Sequence, residues 1–169
     1  MTSLRVRPAT SADFPAIARL TVAAYEADGQ LKGEHGYGAV LADVAARADD
    51  GEVLVVEDAA GAVLGSVTFV LPGTRYAELS GPGEAEFRML AVDPAAQGRG
   101  AGAALARACI DRARDLGCSA VVICVRSGMA ETAQRLYQRL GFVRMPEKDW
   151  SPVPGVNLLA LRLELAPAA

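Results

Sequence analysis

The chain has little of what metal and redox centres are built from. One histidine, His35, stands among 169 residues, with no second histidine and no neighbouring carboxylate cluster at metal-ligand spacing, so no metal is expected. The three cysteines, Cys109, Cys118 and Cys124, are odd in number, lack C-x-x-C spacing and fall in apolar surroundings, as buried reduced thiols do. No apolar run approaches the roughly 18 residues of a membrane span, and the opening MTSLRVRPAT has no apolar leader core; no membrane association and a cytoplasmic location are the expectation. Positive charge is not concentrated either. The net charge is −3, with arginine and lysine scattered among acids, which leaves no footprint for nucleic acid. A phosphate-binding Gly-Lys-Ser/Thr sequence is also missing.

What is present fits one globular domain over residues 1–169. Residues 4–7 alternate as a short strand. Thr10 and Asp13 have the spacing of a helix start, and Phe14, Ile17, Leu20 and Ala24 put one face of a helix over 11–26 into the core. The segment ADGQLKGEHGYG reads as a loop before a second helix over 39–48. EVLVVED and AVLGSVTFVL pair as a hairpin turning at Gly61. LPGTRYAELSGPG then leads to the strand EAEFRMLAV, which stops at Asp93-Pro94. A long amphipathic helix over 99–116 carries Leu105, Cys109, Ala113 and Leu116 inward and ends at Gly117. SAVVICV reads as a strand buried on both faces. A helix over 130–140 ends at Gly141, with Ala133, Leu136, Tyr137 and Leu140 inward. FVRM and VNLLALRLEL are the last strands, separated by PEKDWSPVPG, which is too proline-rich for regular structure. The fold class is mixed α/β, a single domain with a central sheet of about seven strands and four helices.

The segment VDPAAQGRGAGAALARA, starting at Val92, holds Gly98, Gly100 and Gly102 between a strand and a helix. Glycine permits positive φ and close approach to backbone amides, and a helix start attracts anions, so a phosphate-bearing ligand suits the site. A tight turn with close helix packing is the plainer explanation. Gly98 to Ala103 also fits the dinucleotide pattern G-x-G-x-x-A. That pattern needs an acid about 20 positions on, and the next strand ends Ile123-Cys124-Val125-Arg126, so only an NADP-type arginine is available.

A third reading is a resemblance. LAVDPAAQGRGAGAAL resembles the acetyl-CoA signature of the GCN5-related N-acetyltransferase (GNAT) family, Q/R-x-x-G-x-G/A, with Gln97, Gly100 and Gly102 at its defined positions. The family's second signature, A-x-x-L-Y-x-x-x-G-F, is matched by Ala133, Leu136, Tyr137, Gly141 and Phe142. The order of strands and helices is similar over nearly the whole chain. The resemblance implies that the sheet splays between its fourth and fifth strands. Leu90, Ala91 and Val92 would then pair with the pantetheine arm of acetyl-CoA, and the loop of Gln97, Gly98, Arg99, Gly100, Ala101 and Gly102 would wrap its pyrophosphate without a metal. Arg99 either adds charge beside a phosphate or is a solvated side chain.

For the chemistry, the resemblance implies direct acetyl transfer to a primary amine within a ternary complex. Tyr137 matches the position whose hydroxyl faces the thioester sulfur as general acid; the alternative for it is a core aromatic. Glu86 matches a glutamate that deprotonates the amine through water. Glu86, Arg88 and Leu90 share one strand face, so the carboxylate is expected to point into the cleft. Its alternatives are a solvated edge carboxylate and an ion pair with Arg88, and Glu84 is the reserve. Cys124 and Ala130 replace a glutamate and an asparagine of the branch that acetylates peptide N-termini, which counts against acceptors of the ribosomal-protein type. The acceptor, a small-molecule or peptide amine, is expected between the first helix, the loop around Gly33–Gly38 and the loop 146–155, with His35, Tyr37 and Trp150 as candidate contacts. A non-catalytic acyl-CoA sensor and an NADP-binding protein are the alternatives in function, and monomer and homodimer in assembly.

Overall fold

The computed structural model describes residues 3–31, 36–128 and 131–166. Strand β1 (Arg5–Pro8) runs into a 3-10 turn (Ser11–Asp13) and helix α1 (Phe14–Ala27). The Thr10 N–H donates to Asp13 Oδ2 at 2.8 Å, and the Arg7 guanidinium grips both oxygens at 2.8 and 3.0 Å. This clamp fastens the helix start to β1 and holds the Asp13 carboxyl down at about 2.

The second expected helix is two. Helices α2 (Tyr37–Ala42) and α3 (Val44–Asp50) break at Asp43, whose φ/ψ of −84/71° is non-helical and whose side chain accepts the Ala46 N–H at 3.2 Å. An aspartate inside a helical pattern thus acts as the N-cap of a fresh helix. Strands β2 (Glu52–Glu57) and β3 (Val63–Val70) form the expected hairpin, with Gly61 at φ +84°. They precede β4 (Glu84–Val92), α4 (Ala101–Asp115), β5 (Ala120–Arg126), α5 (Glu131–Arg139) and β6 (Val143–Arg144). Gly117 and Gly141, both at positive φ, end α4 and α5 as anticipated. Ala130, the expected first residue of α5, lies outside the described residues.

PEKDWSPVPG is not irregular. It contains a 3-10 turn (Pro146–Lys148) and β7 (Trp150–Val153), which pairs with β8 (Val156–Glu164). Pro152 is tolerated because β7 lies off the main path of the sheet, paired with β8. The described residues therefore make eight strands and five α-helices in one mixed sheet, ordered β1-β2-β3-β4-β5-β8-β6 with β7 also on β8. Helices α4 and α5 cover one face, where Leu105, Cys109, Ala113 and Leu136 pack on Phe87 and Ile123. Helices α1 to α3 cover the other: Ile17 and Val44 sit on Val53 and Val55, and Leu41 on Val70 and Met89. Leu116, expected inward, is 43% exposed at the end of α4. No helix among the described residues is long and apolar enough to cross a membrane.

The only parallel neighbours among the described residues, β4 and β5, are paired from Glu84–Glu86 to Ala120–Val122 and then part. This is the expected splay.

Candidate active site

Beyond Glu86 the β5-facing edge of β4 has no strand partner, while its other edge stays paired with β3 through Val92. Leu90, Ala91 and Val92 lie on that free edge. Along it the strand is irregular: Ser66 pairs with Ala91 and Thr68 with Arg88, so Met89 and Leu90 together oppose Val67. Met89 has φ +56°, the one described non-glycine residue at positive φ. Such a conformation costs about 1–3 kcal/mol and persists where packing over-determines it. Here Met89 is buried against Leu41, Val70 and Tyr76.

The bulge corrects one expectation. Phe87 packs on the α4–α5 side, and Leu90 and Val92 pack on that side too, whereas Met89 faces α1 and α2. Leu90 therefore does not share a face with Glu86 and Arg88, because the extra residue reverses the alternation.

At the foot of α4, Gly98 and Gly100 have φ of +82° and +83°, and a Cβ at either would meet no atom within 4 Å. Backbone conformation, not crowding, requires glycine there. A Cβ at Gly102 would lie 3.5 Å from Leu136 and 3.7 Å from Leu90 and Val92, ordinary contact distances, so Gly102 sits close under α5 and β4 without being sterically obligatory. Gly100 is the N-cap of α4 and Ala101 its buried first residue. Gln97 turns back to donate to the Val92 carbonyl at 3.2 Å, tying the loop to β4. Arg99 is paired with Asp58 of the β2–β3 turn at 3.6 Å. Loop, helix start and open strand edge together fit a ligand with an anionic end and a peptide-like arm.

A cavity of about 650 Å³ passes through the splay. Tyr137, Phe87, Leu90 and Ala133 line it on the α5 side; Tyr25, Gln30, Gly36, Tyr37, Glu78, Arg88 and Met89 line it on the other, with Cys124 and Arg126 of β5 and Pro152–Pro154. Tyr137 is 5% exposed and sits edge-on to Phe87 and Phe142 at centroid distances of 5.8 and 5.7 Å. Burial pushes its phenol well above the ordinary range, so it holds its proton throughout the neutral range. The Cys124 thiol is pushed up to about 12, again by burial.

Glu86 does not line this cavity. Fully buried, its carboxylate accepts the N–H groups of Glu78, Leu79 and Ser80 and the Ser80 hydroxyl at 3.0–3.1 Å. It is neither a solvated edge group nor paired with Arg88. Glu84 binds the Gly81 N–H at 2.8 Å and is ion-paired with Arg162. Arg88 instead pairs with Glu78, Nε to Oε1 at 3.0 Å, and donates to the Tyr76 carbonyl. Glu78, on the connection between β3 and β4, is the acidic residue that lines the cavity among the described residues. Sequence reading passed over it because that segment carries no periodicity, and its position follows from the grip of Glu86 on its neighbours. Trp150 does not line the cavity, although Pro152–Pro154 beside it do. His35 lies outside the described residues.

The model of the "Acetyltransferase (GNAT) family" matches residues 15–142. No curated protein matches the chain. Among solved structures, a GCN5-related N-acetyltransferase from Kribbella flavida is 31% identical, with TM-score 0.69 over 96% of this chain and 98% of that one. YncA, a putative acetyltransferase from Salmonella typhimurium solved with its cofactor acetyl-CoA, is 27% identical, with TM-score 0.68 over 99% and 96%. The ribosomal-protein-S18-alanine N-acetyltransferase from Escherichia coli, 17% identical with TM-score 0.70 over 99% and 97%, shares the fold alone.

Proposed function

Since the chain belongs to the acetyltransferase (GNAT) family, we propose that it moves an acetyl group from acetyl-CoA to a primary amine, as a single cytoplasmic N-acetyltransferase domain over residues 1–169 that works as a monomer or homodimer. Acetyl-CoA supplies an activated acyl group on a thiol leaving group. The observation that carries the reading is the free edge of β4 ending at a glycine-rich helix start, with a buried tyrosine across the cavity.

Backbone groups of Leu90, Ala91 and Val92 hydrogen-bond the pantetheine arm as a β-strand would. The amides of the loop Gln97, Gly98, Arg99, Gly100, Ala101 and Gly102 and the positive end of α4 hold the pyrophosphate. The neutral amine attacks the thioester carbonyl, forming the C–N bond as the C–S bond breaks. Tyr137, protonated at neutral pH, donates its proton to the departing thiolate. The proton lost by the amine passes to the opposite wall. We assign that wall to Glu78 rather than Glu86, since the Glu86 carboxylate is already occupied by the segment 78–80.

Release of free thiol from acetyl-CoA across a panel of primary amines tests the reading, with calorimetry of coenzyme A against NADPH beside it. Coenzyme A binding and amine-dependent thiol release are expected; NADPH binding without a response to coenzyme A would overturn it.

A further inference from the structure

Helix α2 walls the cavity opposite α5 with little of its own to hold it. It has six residues, begins after Gly36 at φ +88° with no side-chain cap, and stops at the non-helical Asp43. A helix so short is unstable in isolation. Gly36, Tyr37 and Val40 nonetheless line the cavity. Leu41 anchors the segment from inside, fully buried against Val70 and Met89. A second anchor reaches in from α3, where Arg47 Nη1 donates to the Val40 and Leu41 carbonyls at 3.1 and 2.7 Å. Both belong to the last turn of α2, whose carbonyls a helix end leaves short of intrahelical donors.

The side chain that makes these bonds is 1% exposed. Among the described residues no carboxylate lies within ion-pair distance of it. Its Nε is buried with no hydrogen-bond partner, and burial disfavours its charged form. A buried charge with no opposite charge beside it destabilises a fold, and an apolar side chain of similar length would fill the position at lower cost. Core packing therefore does not account for an arginine here. What the guanidinium adds over an apolar chain is the pair of bonds to the end of α2.

We infer that Arg47 is a positioning residue for acetyl transfer: acting through Val40 and Leu41, it holds α2 in place as the wall against which the acceptor amine is set. The inference rests on the acetyltransferase reading above. The groups assigned to acetyl-CoA lie on β4 and at the start of α4, whereas Arg47 joins α3 to α2, so its removal should weaken use of the amine and spare that of acetyl-CoA.

The test compares the parent with Arg47→Met, which fills the position without a donor. Amide hydrogen exchange read by mass spectrometry is expected to quicken about 10- to 100-fold across residues 37–43, the range of one charged hydrogen bond, and to stay unchanged in α1 and α4. Thiol release from acetyl-CoA is measured with phenethylamine, 3-methylbutylamine, spermidine and leucinamide. The KM of the amine used best is expected to rise over the same range, about 10- to 100-fold, with kcat and the KM for acetyl-CoA within about threefold of the parent. Arg47→Gln, too short to reach both carbonyls, carries the same expectations and replaces Arg47→Met if that variant does not fold. Exchange across 37–43 that matches the parent, or equal rises in both KM values, overturns the inference and leaves the acetyltransferase reading standing. Absence of coenzyme A binding in the parent overturns that reading and the role in transfer with it, while the exchange comparison still decides whether Arg47 holds α2.

Discussion

Replacing Glu86 by glutamine separates two accounts of this residue, proton acceptor and fastener. The side chain stays the same size, and Oε1, which takes four of the five contacts, can remain an oxygen. The new NH2 then faces the Glu78 N–H, donor to donor, where Oε2 accepted at 3.1 Å. Each remaining bond falls from charge-assisted to neutral, a loss of about 1 kcal/mol apiece, so a total cost of about 3–4 kcal/mol follows, even allowing for some adjustment of the segment. At a size of 169 residues that is a fall in Tm of about 6–16 °C. Thermal unfolding by circular dichroism reads it directly, and the pH dependence of kcat/KM is measured on the same samples. As a fastener, Glu86→Gln loosens the segment 78–80, raises the acceptor KM and keeps the acidic limb of the pH profile. A Tm within about 2 °C of the parent, together with loss of that limb, would refute the reasoning and return the base to Glu86.

Tyr137→Phe keeps the aromatic contacts with Phe87 and Phe142 and removes the proton donor, so kcat should fall about 10²- to 10⁴-fold in steady-state assays with little change in Tm. Gly100→Ala meets no neighbouring atom but forces a side chain to φ +83°; a loss of about 1–2 kcal/mol in denaturant titration and weaker coenzyme A binding by calorimetry are expected. The Asp13 carboxyl titrates at about 2 when folded against 3.8 unpaired, so its contribution is complete above the unpaired value and lost as pH falls toward 2. Asp13→Asn should therefore lower Tm at pH 6 and approach the parent near pH 2, in melts across that range.

The elements with strong local signals were legible before the structure. The glycines at 61, 98, 100, 117 and 141 fall where positive φ is needed, and the spacing of Leu105, Cys109 and Ala113, though not Leu116, identified the buried face of α4. The failures on β4 share a cause, which is that they depend on tertiary partners. Nothing in EAEFRMLAV marks Met89 for a left-handed conformation. Without that bulge the alternation assigns Leu90 to the wrong face and makes Glu86 look free to reach the cleft. Glu86 itself reads as a charged residue in a strand, and only the folded connection supplies the three amides that hydrogen-bond it. The break at Asp43 did have a signal, a short acceptor at a helix start, masked by apolar residues that continue past it.

The short seam between β4 and β5 divides the hydrogen-bonded ladder of the sheet into two blocks over one shared core. Strands β1 to β4 and β5 to β8 each hold together through long backbone registers, whereas the pairing of Glu84–Glu86 with Ala120–Val122 and the Ser119 N–H to Gly83 carbonyl bond just before it form a short main-chain seam between the blocks. Past those residues side chains bridge the blocks, among them the Phe87–Tyr137–Phe142 cluster beside the point where the strands part. Apolar packing has no directional bond to break, so such a joint yields by small steps where a hydrogen-bonded ladder would give way at once. The hydrogen-bonded ladder is therefore continuous within each half and interrupted between them, along the line of the cavity.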